Sequence, residues 1–259
     1  MQARNPTKMS ENPLQSLPKG WIRSSQWAAI AYCISLVIPL QSAQAEAFCD
    51  GKYRDGTLNG KHTCNFPSGN RYQGEFRDGQ RQGQGTFTYA DGTRCEGEFR
   101  KNFLNGKANC QYPNGNRYEG MFVNNQRQGR GTFIYANGTR CEGQFQNDAL
   151  NGAGVCIFPS GSRYEGLFDN NLRQGNGSFI YPDGTRCEGF FQNGTIVGIA
   201  ICTLANGDRY EGEMRNNQWN GQGTYTFANG QQVVGRWRNG QFLGEQPSRR
   251  PPNTPGFIR

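Results

Sequence analysis

Arg94-Cys95-Glu96-Gly97-Glu98-Phe99 is rewritten along this 259-residue chain at a fixed step. Arg71-Tyr72-Gln73-Gly74-Glu75-Phe76 precedes it and Arg117-Tyr118-Glu119-Gly120-Met121-Phe122 follows. The pattern returns at Arg140-Cys141, Arg163-Tyr164, Arg186-Cys187 and Arg209-Tyr210. Run backwards it reaches Cys49-Asp50-Gly51, and forwards Val233-Val234-Gly235. The starts are 49, 72, 95, 118, 141, 164, 187, 210 and 233, with no insertion between them. An unbroken period of this length predicts stacked repeats, each one supersecondary unit.

Composition alone points elsewhere. Apolar residues make up 34%, glycine is 37 of 259 and mean hydropathy is −0.82, values that lean toward disorder. The glycines are periodic, however, and aromatics reach 12%. A repeat array needs only a thin core between neighbours.

Counting each unit from its Tyr or Cys, position 3 is always Gly and position 5 is aromatic in all but one unit (Met214). Position 12 is Gly, position 14 is mostly small, and positions 16 and 18 are mostly aromatic or apolar. Positions 1, 3, 5 and 14, 16, 18 form two period-2 runs, the mark of half-buried strands. Asn-Gly or Asp-Gly at positions 20–21, as in Asp91-Gly92 and Asn137-Gly138, signals tight turns. Each unit is therefore expected to be a β-hairpin, with the Gly at 8 and 12 in the second loop. The fold class expected is all-β: an elongated single antiparallel sheet of stacked 23-residue hairpins. Setting position 1 against 18 faces the aromatic at 5 with the small residue at 14; a two-residue shift would set position 1 against 16.

Tyr118-Glu119-Gly120, Gly129-Arg130-Gly131 and Asn137-Gly138 together resemble the MORN (membrane occupation and recognition nexus) repeat. The resemblance covers about residues 49–244. It implies stacked hairpins serving as a scaffold, a spacer, a membrane-associated or self-associating module, or an accessory arm beside an enzyme such as a phosphatidylinositol phosphate kinase.

A second period lies inside the first. Position 1 alternates Cys49, Tyr72, Cys95, Tyr118, Cys141, Tyr164, Cys187, Tyr210. Position 16 alternates with it: Cys64, Phe87, Cys110, Phe133, Cys156, Phe179, Cys202, Tyr225. Position 10 keeps the same beat, with Leu58, Leu104 and Leu150 against Arg81, Arg127 and Arg173. Positions that switch together are expected to touch. The simplest account is a disulfide in every odd unit: Cys49–Cys64, Cys95–Cys110, Cys141–Cys156 and Cys187–Cys202. Buried free thiols and a zinc site are the alternatives. The second lacks any Cys-x-x-Cys and has one His in the chain, His62.

Residues 1–45 read as a signal peptide: a polar n-region (1–26) holding Lys19 and Arg23, an apolar core (27–40), and Ala43-Gln44-Ala45 as the cleavage site. An export signal and paired cysteines agree on an oxidising compartment. The expected location is periplasmic, cell-envelope or extracellular; the alternative is an uncleaved N-terminal anchor. Residues 246–259 read as a Pro-rich tail.

No catalytic constellation, phosphate loop or metal-ligand spacing is written here, so neither enzyme activity nor a cofactor is expected. Arg71, Arg94, Arg117, Arg140, Arg163, Arg186 and Arg209 each stand two residues before position 2, which is Glu in six units. On a strand these share a face. They form either a solvated Arg–Glu ladder or, with Arg81, Arg127 and Arg173 in the loops, a track for anionic lipid or acidic glycan. The formal charge, +8 overall and +5 without residues 1–45, suits either. Nucleic acid is not expected. The function read from the sequence is a non-catalytic exported scaffold binding a protein or the envelope, with an anionic membrane surface, self-association or an enzyme on another chain as alternatives.

Overall fold

The computed structural model describes residues 47–50, 53–54 and 57–245. The segment read as a signal peptide or anchor, with Cys33, and the residues read as a Pro-rich tail from 246 lie outside the described residues. Twenty strands and no helix occur among the described residues. They fall into two compact units. The first holds β1 (Phe48–Cys49), β2 (Tyr53–Arg54), β3 (Thr57–Leu58), β4 (Gly60–Asn65), β5 (Arg71–Arg77), β6 (Gln80–Thr88), β7 (Arg94–Arg100), β8 (Phe103–Gln111), β9 (Arg117–Val123) and β10 (Gln126–Ile134). Strand β11 (Arg140–Gln146) supplies residues 140–144 to the second unit. That unit continues with β12 (Ala149–Ile157), β13 (Arg163–Asp169), β14 (Leu172–Ile180), β15 (Arg186–Gln192), β16 (Thr195–Thr203), β17 (Arg209–Arg215), β18 (Gln218–Thr226), β19 (Gln232–Arg238) and β20 (Gln241–Gly244). In both units hairpin follows hairpin in antiparallel pairing, as the repeat predicts.

The hairpin register differs by two residues from the 1-against-18 pairing. Position 1 faces position 16, as in Tyr72↔Phe87 and Cys95↔Cys110. Position 3 faces 14, as in Gly74↔Gly85, and position 5 faces 10, as in Phe76↔Arg81. The reason is the turn. The hairpin closes in two residues at positions 7–8, Asp78-Gly79 or Asn170-Asn171, both with positive φ. This is the left-handed turn whose twist matches paired strands, and Asn, Asp and Gly tolerate it best. The second strand therefore starts at position 9 and runs through the Gly at 12, which lies in a bulge and not a loop. Gly83, Gly106, Gly175 and Gly221 hold φ between 66° and 99° there, a conformation that side chains resist.

The core is a single layer laid flat on one face of the sheet. Each position-1 Tyr lies across its own Gly pair. A Cβ on Gly166 or Gly177 would meet Tyr164 Oη at 2.4 or 2.5 Å. Tyr164 Oη donates to Leu167 O at 3.0 Å, and Tyr72, Tyr118 and Tyr210 repeat the bond. Phenylalanines stand edge-on to the ring: Phe168 at 5.1 Å and Phe191 at 4.9 Å from Tyr164. In the odd hairpins the same place holds two sulfurs under Leu104, Leu150 or Ile196, all buried. The four expected disulfides are formed, 15 residues apart in each case.

Successive turns also lock to one another. The position-8 N–H donates to the preceding hairpin's position-10 carbonyl, as in Asn125 to Leu104 (3.0 Å) and Asn171 to Leu150 (3.0 Å). The Asn side chain returns the contact by accepting from the position-10 N–H (Leu104 to Asn125 Oδ1 2.7 Å, Leu150 to Asn171 Oδ1 2.8 Å). Both backbone groups of the strand start are thereby satisfied.

Candidate binding face

The arginines singled out from the sequence divide between two faces. Arg81, Arg127 and Arg173 sit on strands, on the core face, and not in loops. The Arg81 guanidinium lies 4.5 Å from the Phe87 ring centroid and within 6.0 Å of Phe66, Tyr72 and Phe99. Arg173 repeats this against Phe179, Tyr164 and Phe191 and is only 5% exposed. Each guanidinium donates to the turn carbonyl of the next hairpin: Asn102 O (2.7 Å), Asp148 O (2.5 Å) and Gly194 O (2.6 Å). Burial lowers the pKa of Arg81 and Arg173. Burial likewise pushes Tyr72, Tyr118 and Tyr164 up to about 12, opposed by the neighbouring guanidinium. In the last such hairpin Trp219 replaces the arginine and stacks on Tyr210 at 4.4 Å. These three arginines are core cations held by rings.

The other seven arginines line the opposite, outer face. Five are engaged by the Glu two residues on: Arg94–Glu96 (2.8 Å), Arg140–Glu142 (3.1 Å), Arg163–Glu165, Arg186–Glu188 (2.6 Å) and Arg209–Glu211 (2.6 Å). They are about half exposed, so each pair stabilises by at most about 1 kcal/mol. The ladder reading fits them. His62 has both ring nitrogens 2.7 Å from backbone carbonyls, Asp50 O and Asn59 O, which anchors it in the first hairpin. Among the described residues no cluster of His, Cys, Asp and Glu has metal-binding geometry, and no helix is long and apolar enough to cross a membrane.

What the sequence reading missed is where the outer face changes chemistry. Position 4 is Glu75, Glu98 and Glu213 in three hairpins but apolar in three others, Met121 in the first unit and Leu167 and Phe190 in the second. Position 13 is Gln84, Lys107 and Arg130 elsewhere but Ile199 here. Leu167 and Phe190 are each 46% exposed and Ile199 64%. Cross-strand pairing sets Asn176 against Phe190, and Ser178 between Glu165 and Glu188. Glu165, Asn176, Ser178, Arg186, Glu188, Phe190 and Ile199 bound a shallow groove of about 650 Å³ floored by Gly166, Gly177 and Gly189, and Leu167 lies outside it. Ser178 is 6% exposed and its hydroxyl has no hydrogen-bond partner. The signal was available as two positions that exchange charge for Leu, Phe and Ile. It is invisible to a search for what recurs.

The MORN repeat model matches seven consecutive segments: 72–94, 95–117, 118–140, 141–163, 164–186, 187–209 and 210–232. No curated protein matches. Among solved structures, the TCP domain of Drosophila melanogaster SAS-4 (dCPAP), in complex with a proline-rich motif of Ana2 (dSTIL), is 17% identical with a TM-score of 0.40. That match covers 60% of this chain and 85% of the other. The wild-type TCP10 domain of Danio rerio CPAP is 15% identical with a TM-score of 0.26, covering 71% and 92%.

Proposed function

This chain belongs to the MORN repeat family, and on that premise we propose that it is a non-catalytic, exported scaffold that binds a protein partner through its outer face. The observation that carries the reading is the apolar break in the outer ladder at Leu167, Phe190 and Ile199. These three apolar side chains stand exposed on three of the four consecutive strands β13–β16, and exposed apolar patches mark interaction sites. Export is supported by the eight paired cysteines, since disulfides persist in oxidising compartments. The serial character of the outer face, with Arg at seven steps and Glu at six, suits binding along a surface and not reaction at a point. A track for anionic membranes is less well supported. Five of its arginines already hold carboxylates, and three others are on the core face.

A photo-crosslinking amino acid at position 167, 190 or 199, and separately at the exposed Gln222 of the same unit, tests this in the producing cells. A discrete light-dependent protein adduct from 190 and not from 222, in an extracytoplasmic fraction, is expected. Absence of any adduct from 167, 190 and 199 would sink the outer-face reading. Cytosolic protein with alkylatable thiols would sink export.

A further inference from the structure

The four bridges are alike in sequence and unlike in surroundings. Seven of the eight paired cysteines are buried, each 5% exposed or less. Cys49 is the exception and is half-buried. It lies on β1, which among the described residues pairs with β4 and with no other strand. From this we infer that Cys49–Cys64 is a redox switch. Thiol reductants open it ahead of the other three bridges, and its opening releases β1 from the sheet. The inference goes beyond the scaffold reading and does not depend on it.

The difference arises from the stacking of hairpins. Cys187 faces Phe179 on one side, and its partner Cys202 faces Tyr210 on the other. Cys95 and Cys110 are flanked in the same way by Phe87 and Tyr118. Each of these bridges therefore has an aromatic neighbour on both sides. Cys64 has Tyr72 on one side, but no described strand lies beyond Cys49. Thiol–disulfide exchange needs access of the attacking thiolate to a sulfur. At an internal bridge that access requires opening strands in the middle of the sheet, whereas fraying of an end strand costs far less.

The reductant is a dithiol, either a small molecule or a thiol–disulfide oxidoreductase. Its thiolate attacks Cys49 Sγ, the outer sulfur. The S–S bond breaks, Cys64 leaves as a thiolate, and a mixed disulfide forms at Cys49. The second thiol of the reductant resolves that intermediate. Two electrons have then passed to the bridge, and the dithiol has become a disulfide.

What the bridge holds in place is short. Strand β1 has two residues, Phe48 and Cys49, paired with Asn65 and Cys64. Beyond the sulfurs the attachment runs through Asp50. Its N–H donates to Thr63 O at 2.9 Å, its carboxylate accepts from the Thr63 N–H, and its carbonyl lies 2.7 Å from His62 Nδ1. Phe48 is 75% exposed and buries little. Pairing of this length is marginal in water without a covalent link. Release of β1 bares the edge of β4, a row of N–H and C=O groups open to another strand. Oxidation closes this end of the array, and reduction opens it.

The test is graded reduction of the oxidised full chain by dithiothreitol without denaturant. Samples are quenched with iodoacetamide, and peptide mapping gives the rate at each bridge. Cys49 and Cys64 are expected to be alkylated at least about tenfold faster than the other six cysteines. Amide exchange is then read while only that bridge is open. Thr63 and Asn65 are expected to exchange at least about tenfold faster than in the oxidised protein, with amides in β15 to β18 unchanged. The double variant Cys49→Ser, Cys64→Ser should show the same exchange without reductant. Reduction of all four bridges at one rate, or of an internal bridge first, would overturn the inference. So would continued protection of Thr63 and Asn65 once Cys49–Cys64 is open, because the bridge would then be accessible but hold nothing.

Discussion

Replacing Gly177 by Ala probes the flat-ring core directly. The new Cβ would lie 2.5 Å from Tyr164 Oη, 2.7 Å from Cε2 and 2.8 Å from Cζ. These are body atoms of a ring that is fully buried and fixed by Phe168 and Phe191 edge-on, so it has nowhere to go. Gly177 does not have positive φ, so backbone strain adds nothing. Overpacking of this kind costs about 1–3 kcal/mol. Displacing the ring also breaks the Tyr164–Leu167 hydrogen bond, worth about 1 kcal/mol. The expected loss is about 2–4 kcal/mol. The control is Gly154→Ala, the same position in a disulfide hairpin of the same unit. Its nearest atoms are Glu142 O at 3.0 Å and Phe168 at 3.2 Å, and two other disulfide hairpins carry Ala there, Ala108 and Ala200. That change should cost about 1 kcal/mol or less. Urea unfolding followed by fluorescence of Trp219 and Trp237 measures both. Tyr164→Phe in the Gly177→Ala background removes the closest contact and should restore part of the loss. Equal stability of the two alanine variants would refute the account of why even hairpins require Gly at both positions.

Removing one staple with Cys187→Ala and Cys202→Ala should lower unfolding stability by about 3 kcal/mol, since the bridge closes a 15-residue separation; urea midpoints in the absence of reductant measure it. Arg173→Met should stay within about 1 kcal/mol of the parent, because a buried guanidinium with an unpaired Nε is exchanged for a side chain of similar reach. Arg173→Ala should cost about 2–4 kcal/mol by leaving a void over the rings, read by the same titration. Tyr72, Tyr118, Tyr135 and Tyr164 have native pKa values raised to about 12, chiefly by burial, from 10.0. The raised value favours the protonated phenol, so this contribution is complete below pH 10 and is lost as pH rises toward 12. Phenolate absorbance should therefore lag the free-tyrosine curve and rise with unfolding; titration at pH 10 without unfolding would contradict the buried placement.

Repetition made the fold legible. Period and glycine placement specify stacked hairpins before any contact is known, and the joint switching of positions 1 and 16 identifies the cysteine pairs. Register was not legible from the period-2 pattern, because a shift of two leaves every side chain on its own face. The turn decides it, and the turn is written in Asn170-Asn171 and Asp78-Gly79, less conspicuous than the Asn-Gly pairs between hairpins. The charge of Arg81, Arg127 and Arg173 suggests loops, whereas their alternation with Leu58, Leu104 and Leu150 points to a strand. That alternation puts them on the core face. The groove at Ser178 and Phe190 depends on single departures at varying positions. Only cross-strand pairing brings those together.

A two-hairpin design locked by sulfur requires an oxidising compartment. Peptide mapping by mass spectrometry, without reduction, on protein taken from its native location tests that most directly. Four linked peptides are predicted, joining Cys49 to Cys64, Cys95 to Cys110, Cys141 to Cys156 and Cys187 to Cys202. Free thiols at these positions, or links between different hairpins, would contradict it.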